Sequence, residues 1–559
     1  MNTKKLTLAL GALCLAFSIA SYGASSDNSE DPTSGPTPIG KKLKPASNGG
    51  VSKKQIPIKI EVDVGKAGRV VSPLLFGTNL EHTRNAIWRG LGAQVIANCK
   101  FAGPAHSDGL VAGWSPVGAP AAHFQIDREK PYAGEQSQRV SVAAKGVVAG
   151  IAQDHVPLLK NCAYQARLAL RSEKALKVSV RVCDQQGENC YKVQTLSVKP
   201  GEWRELEFSF TPSRTDREAR IEITFDGPAT LCVGSVSILP KDHFHGMRRD
   251  VVELLKTLGS PLLRWPGGNF MRDYKWRDGL LPVDRRPPTK CTWRSTLPYS
   301  YSYDFHEIGT DEFIALCRYI GAEPCITINL DPQTAPPSEA AAWVEYCNGG
   351  SGTRMGKVRA ARGHREPYGV KYWFVGNEIW GHWMGRSHSD ATTYAERLIA
   401  YTAAMKEVDP SIQFVASGQG VMAPEEGAKW DNTLLSKAAA HFDVLSQHHY
   451  APAVSWFAGP QADAAYDQKV RAVVEGLPVP GPEAEREFAE LSHFAVSTML
   501  PLLRNVRQAI DQRDSGRHIG IALDEWNVWR NWFTKPYENA WHDSVTEAVY
   551  AAGMLNMFC

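Results

Sequence analysis

The chain has 559 residues, which is more than one average domain, so two or three domains are expected. Its 62 basic and 59 acidic residues leave a formal net charge of only +3. So small a charge supplies neither a basic field for nucleic acid nor an acidic surface for a cationic partner. Net charge therefore excludes nucleic acid as the expected partner, and the function has to be inferred from the sequence motifs.

The N-terminal residues predict export. Lys4 and Lys5 precede an apolar run from Leu6 to Ala20 that ends in small residues, as in a secretory signal. The run is too short to favour a membrane span, so residues 1–24 are predicted to be a signal peptide. Residues 25–55 are rich in Ser, Pro, Gly, Asp and Lys without hydrophobic period, and they predict a disordered linker. We expect a secreted or periplasmic protein with no membrane contact beyond the signal.

Ten cysteines remain after the signal peptide, and an oxidising compartment permits disulfides without proving them. Cys183 and Cys190 are the best local pair, because they flank a turn-like QQGEN loop between two alternating segments. Cys317 and Cys325 fall in a predicted helix and a predicted strand, where buried free thiols are at least as well favoured.

Short alternating strands dominate the first half of the remaining chain. Residues 56–84 predict a half-buried strand, IPIKIEVDV, followed by a first barrel strand that ends on polar residues. Residues 85–240 contain seven alternating segments separated by turn residues, which predicts an inserted β-sandwich. Its function stays open between a structural spacer and carbohydrate binding through exposed aromatic side chains.

Helices and strands alternate in residues 241–559, a pattern typical of a parallel sheet with helices outside it. Counting LLFGTNLEH as the first, seven such strands are predicted, one fewer than in a closed eight-stranded barrel. We therefore expect an α/β protein of the (β/α)8 TIM-barrel type that lacks its eighth strand, with the β-sandwich inserted after strand 1.

Polar side chains recur where the predicted barrel strands end: Glu81, His82, Asn269, Asn377, Glu378, His448, His449, Tyr450, Asp524, Glu525 and Asn527. The carboxyl ends of parallel barrel strands form one active face, so these groups should converge. Glu378 and Glu525 follow the fourth and seventh strands, and paired carboxylates suit glycoside hydrolysis. A separation of about 5 Å predicts retention of configuration, whereas about 6.5 to 9.5 Å predicts inversion.

Tryptophans supply flat faces suited to sugars, although several must belong to the core: Trp265, Trp276, Trp293, Trp380, Trp383, Trp526 and Trp529. Gly267 and Gly268 in LLRWPGGNF allow either a close approach of the backbone to a ligand or a plain turn. The sequence contains no HExxH, CxxC, GxSxG or phosphate-loop pattern, so neither a metal nor a cofactor is predicted.

The stretches LFGTNLEH, LRWPGGNF, FVGNEIWG, SQHHY and LDEWNVW together resemble glycoside hydrolase family 51, the α-L-arabinofuranosidases of the retaining clan. The resemblance covers about residues 73–557. It implies that Glu378 is the general acid/base, that Glu525 is the nucleophile, and that the inserted sandwich is a carbohydrate-binding-like module. The implied substrate-binding residues are Glu81, Asn269, Asn377, Tyr450, His448 and Trp380, with Tyr450 also holding the nucleophile.

Family members continue into an eighth strand and a C-terminal β-sandwich, and both are missing here. We therefore expect a C-terminally truncated chain that folds poorly or works weakly by itself. The leading hypothesis is an exo-acting α-L-arabinofuranosidase whose partner is an arabinose-containing plant polysaccharide or oligosaccharide, with oligomerisation possible. The alternatives are an endo-β-1,4-glucanase or xylanase on the same scaffold and a non-catalytic polysaccharide-binding fragment.

Overall fold

The computed structural model describes residues 72–82, 86–118, 122–290, 303–421, 424–451, 491–513, 516, 518–528 and 545–558. The predicted signal peptide, linker and strand at residues 56–64 lie outside these ranges, as do Trp293 and Trp529. Within the described ranges, no helix has both the length and the apolar character needed to cross a bilayer.

A short strand, β1 (Thr78–Asn79), is followed in the chain by ten antiparallel strands. These are β2 (Ser115–Val117), β3 (Ala122–Asp127), β4 (Ser137–Val142), β5 (Val148–Leu158), β6 (Tyr164–Arg171), β7 (Leu176–Cys183), β8 (Cys190–Val198), β9 (Arg204–Phe210), β10 (Asp216–Asp226) and β11 (Ala229–Pro240). They form two five-stranded sheets, in the orders β2-β5-β10-β7-β8 and β3-β4-β11-β6-β9. Alternate apolar residues, such as Val178, Val180 and Val182 of β7, fill one shared core.

The predicted pairing of Cys183 with Cys190 is confirmed, because the two residues form a disulfide across the β7–β8 turn. Cys317 and Cys325 are buried free thiols. For Cys317 and Cys325 the sequence had left open whether they pair or remain free thiols.

The remaining strands are β12 (Leu262–Trp265), β13 (Thr289–Lys290), β14 (Tyr303–Asp304), β15 (Glu323–Ile328), β16 (Tyr372–Val375), β17 (Gln413–Ser417), β18 (Val444–Ala451) and β19 (Gly520–Val528). β13 and β14 pair with each other, whereas the others join β1 in a seven-stranded sheet ordered β1-β12-β15-β16-β17-β18-β19. Every neighbouring pair in this sheet is parallel. The described residues therefore contain a TIM-barrel-like α/β sheet whose seven strands follow the predicted order.

The helices are α1 (Arg249–Leu258), α2 (Thr310–Ile320), α3 (Pro337–Asn348), α4 (Arg354–Ala361), α5 (Ala391–Val408), α6 (Pro424–Ala438), α7 (Leu500–Asp511) and α8 (Val545–Phe558). Glycine ends α1, since Gly259 adopts a left-handed φ of +67°. Helix α4 was not predicted.

Aromatic side chains fill much of the barrel core. Trp265 and Trp373 are fully buried, and Trp276 stacks on Trp343 with ring centroids 5.6 Å apart. Trp265 and Trp276 are thus core residues, and the sugar-facing alternative considered for them is wrong.

Candidate active site

Glu378 lies in the turn that follows β16, and the backbone of this turn is left-handed at two positions. Gly376 has a φ of +84° and Glu378 a φ of +44°. A Cβ atom at Gly376 would lie 2.7 Å from Leu330, so only glycine fits there. The Gly381 N–H donates to the Glu378 carbonyl at 2.7 Å and closes the turn. The turn holds Glu378 in a conformation that non-glycine residues rarely adopt, a feature common at functional sites.

Both carboxylate oxygens of Glu378 have partners from other segments. His448 Nδ1 lies 2.8 Å from Oε1, and Trp383 Nε1 donates to Oε2 at 3.2 Å. Trp380, which the sequence predicts as a sugar contact, donates its indole N–H to the Gly418 carbonyl at 3.2 Å and packs edge-on against Trp383. The indole that reaches the carboxylate therefore belongs to Trp383, which the sequence analysis named only among the tryptophans with faces suited to sugars.

Glu525 is aimed by a β-bulge in β19. The register of β19 against β18 shifts at this point, so that His448 pairs with Glu525 and Asp524 is the extra residue. Successive side chains of a regular strand point to opposite faces, whereas a bulge turns two neighbours to the same side. Asp524 and Glu525 accordingly both accept hydrogen bonds from Arg264 Nη1, at 2.9 and 3.0 Å.

The carboxylate of Glu525 is fixed at both oxygens. Arg264 binds Oε1, and the Tyr450 hydroxyl donates to Oε2 at 2.9 Å. The backbone also passes close by, because a Cβ atom at Gly268 would lie 2.8 Å from Oε1. The backbone at Gly268 therefore passes close to Glu525, whereas the close approach to a ligand stays a prediction.

The three predicted hydroxyl-binding residues lie around the turn after β12. Glu81 Oε1 accepts from the Phe270 N–H at 3.0 Å. Gly267 has a φ of +113°, and a Cβ atom there would lie 2.3 Å from Glu81, so this glycine lets the turn close over the end of β1. Asn377 Nδ2 donates to Asn269 Oδ1 at 3.0 Å. Glu81, Asn269 and Asn377 are thus brought to one face, as predicted from their strand exits.

Beside the two glutamates lie three charged residues, the buried Arg264 and His448 and the partly buried Asp524, which we call the charged frame. Arg264 lies over the Phe374 ring at 4.3 Å, and its guanidinium also donates to Asn377 Oδ1. Asp524 accepts from the Ser446 hydroxyl at 2.7 Å and contacts His448 Nε2 at 3.2 Å. Sequence reasoning missed Arg264, although a cation within the apolar strand LLRW signals a buried acidic partner.

His448 is the cation of the frame that faces Glu378. Burial lowers the pKa of His448, but the nearby carboxylates of Glu525, Asp524 and Glu378 outweigh it, and the net result is a pKa well above the ordinary 6.5. Burial likewise raises the pKa of Asp524, whereas His448 and Arg264 lower it, with a net decrease. A protonated His448 donates from Nδ1 to Glu378 and from Nε2 to Asp524. Both nitrogens are thereby engaged by carboxylates, so this ring positions the acids.

One oxygen of Glu378, one oxygen of Glu525 and one ring nitrogen of His448 lie within 4.8 Å of one another. Two glutamates from the fourth and seventh strands of the sheet therefore meet at the carboxyl ends of the strands, with polar residues around them. Paired carboxylates at the carboxyl ends of barrel strands are the arrangement that glycoside hydrolysis uses.

Comparison with known proteins finds similarity to one kind of glycoside hydrolase, the α-L-arabinofuranosidases. Residues 254–471 match the family model of the α-L-arabinofuranosidase 1 domain, and residues 93–230 match the model of a carbohydrate-binding domain. The α-L-arabinofuranosidase C of Emericella nidulans is 35% identical over 292 residues, which make up 52% of this chain and 52% of that protein. A probable α-L-arabinofuranosidase C of Aspergillus terreus is 32% identical over 323 residues, or 57% of this chain and 58% of that protein.

Among solved structures, the α-L-arabinofuranosidase of Thermotoga maritima in complex with arabinose is 34% identical, with a TM-score of 0.41 and coverage of 56% of this chain and 55% of that chain. The chain spans about half the length of the curated relatives that it matches. Over the matched residues the chain is similar to α-L-arabinofuranosidases, and residues 93–230 are similar to a carbohydrate-binding domain.

Proposed function

We propose that this chain is a secreted or periplasmic retaining glycoside hydrolase that releases non-reducing terminal α-L-arabinofuranosyl residues from arabinoxylan or arabinan. The observation that carries the proposal is that one carboxylate oxygen of Glu378 lies within 4.8 Å of one carboxylate oxygen of Glu525. Other side chains hold both carboxylates in place. The family matches support arabinofuranose as the sugar, and the apolar run near the N-terminus supports export. The carbohydrate-binding-domain match supports a polysaccharide as the natural partner.

The spacing of the carboxylates supports a double displacement. Retaining enzymes place their two carboxyl groups about 5 to 5.5 Å apart, whereas inverting enzymes leave about 6.5 to 9.5 Å for a water molecule. In the first step Glu525 attacks the anomeric carbon while Glu378 protonates the departing oxygen of the polymer. In the second step Glu378 takes a proton from water, the oxygen of that water attacks the anomeric carbon, and the bond to Glu525 breaks to release arabinose.

The surrounding contacts support this division of roles. Tyr450 and Arg264 hold the two oxygens of Glu525, which orients the carboxylate before attack. Glu81 and Asn269 supply further polar groups at the same face, suited to the hydroxyls of the sugar. Contacts to such hydroxyls strengthen as the oxocarbenium-like transition state forms.

The test is hydrolysis by the wild type and by the Glu378→Gln and Glu525→Gln variants, on 4-nitrophenyl α-L-arabinofuranoside and on arabinan. We expect arabinose from both substrates with the wild type and a loss of about 10³-fold or more with Glu525→Gln. Glu378→Gln should lose much more on arabinan than on the first step with the aryl glycoside, because nitrophenolate departs without a proton donor.

Each alternative gives a different result in the same assay. Shortening of xylan or glucan chains without release of arabinose would replace the proposal by an endo-acting hydrolase. Binding of polysaccharide by a wild type that hydrolyses neither substrate would replace it by a non-catalytic role.

A further inference from the structure

The segment of residues 303–307 lies between the sandwich and the barrel and contacts both. Tyr303 and Phe305 pack against the core of the sandwich. Asp304, between them, points the other way, and its Oδ2 lies 2.7 Å from His82 Nδ1 at the end of β1. If the sandwich displaces this segment, Asp304 moves with it and the position of the His82 ring changes.

Lys100 fixes this segment from the side of the sandwich. Lys100 is only 2% exposed to solvent. Its ammonium group donates to the carbonyl oxygens of Phe305 at 2.7 Å and Arg286 at 3.0 Å. Burial lowers the pKa of Lys100. Burying an ammonium group costs free energy unless it is hydrogen-bonded, so the two carbonyl contacts are needed to stabilise the buried Lys100 side chain. Removing the ammonium would leave both carbonyls without that donor.

His82 carries the position of the segment into the site. Its Nε2 accepts from the Trp265 indole N–H at 2.7 Å, so its Nδ1 carries the proton and donates to Asp304. The same ring stacks on Phe270 with centroids 5.0 Å apart. Phe270 in turn donates its backbone N–H to Glu81, the residue next to His82. One imidazole thus joins the end of β1, the end of β12 and the turn that carries Asn269.

We propose that Lys100 is a positioning residue for the active site: it holds Phe305, and through Asp304 and His82 it fixes where Glu81 presents its carboxylate. The inference rests on the proposed function, because it assigns Glu81 to the sugar. On this account the sandwich is part of the support of the catalytic face and not only a separately acting binding module.

The test replaces Lys100 by Met in the full chain, which keeps an unbranched side chain of similar length and removes the charge. The matched control is Lys145→Met, because Lys145 is an exposed lysine of the same sandwich. With 4-nitrophenyl α-L-arabinofuranoside, well below the melting temperature, we expect kcat/KM to fall about 10- to 100-fold in Lys100→Met and to stay at the wild-type value in Lys145→Met.

A double variant with Asp304→Asn separates positioning from a purely structural role. If both residues act through the same segment, the losses in kcat/KM are strongly non-additive. The double variant is then about as active as the less active of the two single variants. A structural role alone lowers the melting temperature and leaves kcat/KM of the folded protein unchanged. Wild-type kcat/KM in Lys100→Met, or losses that simply multiply, would overturn the inference. Should Lys100→Met fail to fold, Phe305→Leu perturbs the same segment and must show the same non-additivity with Asp304→Asn.

Hydrogen–deuterium exchange gives a readout that does not need activity. Lys100→Met is expected to speed exchange at residues 78–82 and 265–272, whereas Lys145→Met leaves it unchanged. Unchanged exchange in Lys100→Met contradicts the positioning role even if the wild type hydrolyses no arabinofuranoside. An inactive wild type with altered exchange would instead count against the proposed function alone.

Discussion

Replacing Asp524 by Asn tests whether the charged frame holds the nucleophile. Asp524 is partly buried and lies between the Arg264 guanidinium at 2.9 Å and His448 at 3.2 Å. Removing one partner from a buried ion pair costs about 3 to 5 kcal/mol of stability. Asparagine has the shape of aspartate and keeps one acceptor oxygen, and Arg264 still pairs with Glu525. We therefore expect a loss of stability at the lower end of this range, about 3 kcal/mol. Because the guanidinium then has one carboxylate partner in place of two, Glu525 is held less precisely, and kcat/KM should fall about 10²-fold.

The pH dependence of this effect has a definite sign. Asp524 has a lowered pKa in the folded protein, so its stabilising contribution is present above its unfolded value near 3.8. His448 has a raised pKa, so its contribution is complete below 6.5 and is lost as the pH rises through the folded value. The destabilisation by Asp524→Asn should therefore be greatest between about pH 4 and 6.5 and should shrink at higher pH.

Urea unfolding across this pH range, with kcat/KM on 4-nitrophenyl α-L-arabinofuranoside, measures both effects. The control is Asp511→Asn on α7, because Asp511 forms an exposed i,i+4 pair with Arg507 and its loss should change stability by less than about 0.5 kcal/mol. An Asp524→Asn variant that matched this control in stability and the wild type in kcat/KM would refute the role of the frame.

Two further predictions concern single side chains. Tyr450→Phe removes only the hydroxyl that donates to Glu525 at 2.9 Å, so kcat/KM should fall about 10- to 100-fold with an unchanged circular dichroism spectrum; full activity would show that this bond does not orient the nucleophile. Burial raises the pKa of Glu307 from 4.5 to about 7, so its favourable contribution is present below pH 4.5 and is lost as the pH rises through 7. Glu307→Gln should therefore stabilise the protein at pH 8 by up to about 3 kcal/mol and much less at pH 5, as measured by urea unfolding, whereas an equal effect at both pH values would contradict the assignment.

Much of the fold follows from local patterns in the sequence. The alternation of helices and strands predicts the seven parallel strands, because each strand is an apolar run that ends in polar residues. The same strand exits identify Glu378 and Glu525, since the carboxyl ends of barrel strands bring residues 147 positions apart to one face. The hairpin spacing of Cys183 and Cys190 likewise predicts their disulfide.

The parts that were missed depend on tertiary contacts. The bulge at Asp524 exists only in the pairing of β18 with β19, so no local pattern separates it from a regular strand. Trp383 and Trp380 look alike in sequence, and only the turn after β16 decides which indole reaches Glu378. Helix α4 has the basic sequence RMGKVRAA without an apolar face, and it is stabilised by the Thr353 cap and the buried Arg359.

Chemical rescue by azide tests the central assignment, Glu525 as nucleophile and Glu378 as acid/base, most directly. In Glu525→Gly, azide can attack from the vacated side and should give the arabinofuranosyl azide of inverted configuration. In Glu378→Ala, azide should instead intercept the glycosyl-enzyme and give the azide of retained configuration. Nuclear magnetic resonance of the two products distinguishes the anomers. With Glu525 as nucleophile and Glu378 as acid/base, the two variants give opposite anomers in this order; the reverse order, or the same anomer from both, would rule out these roles.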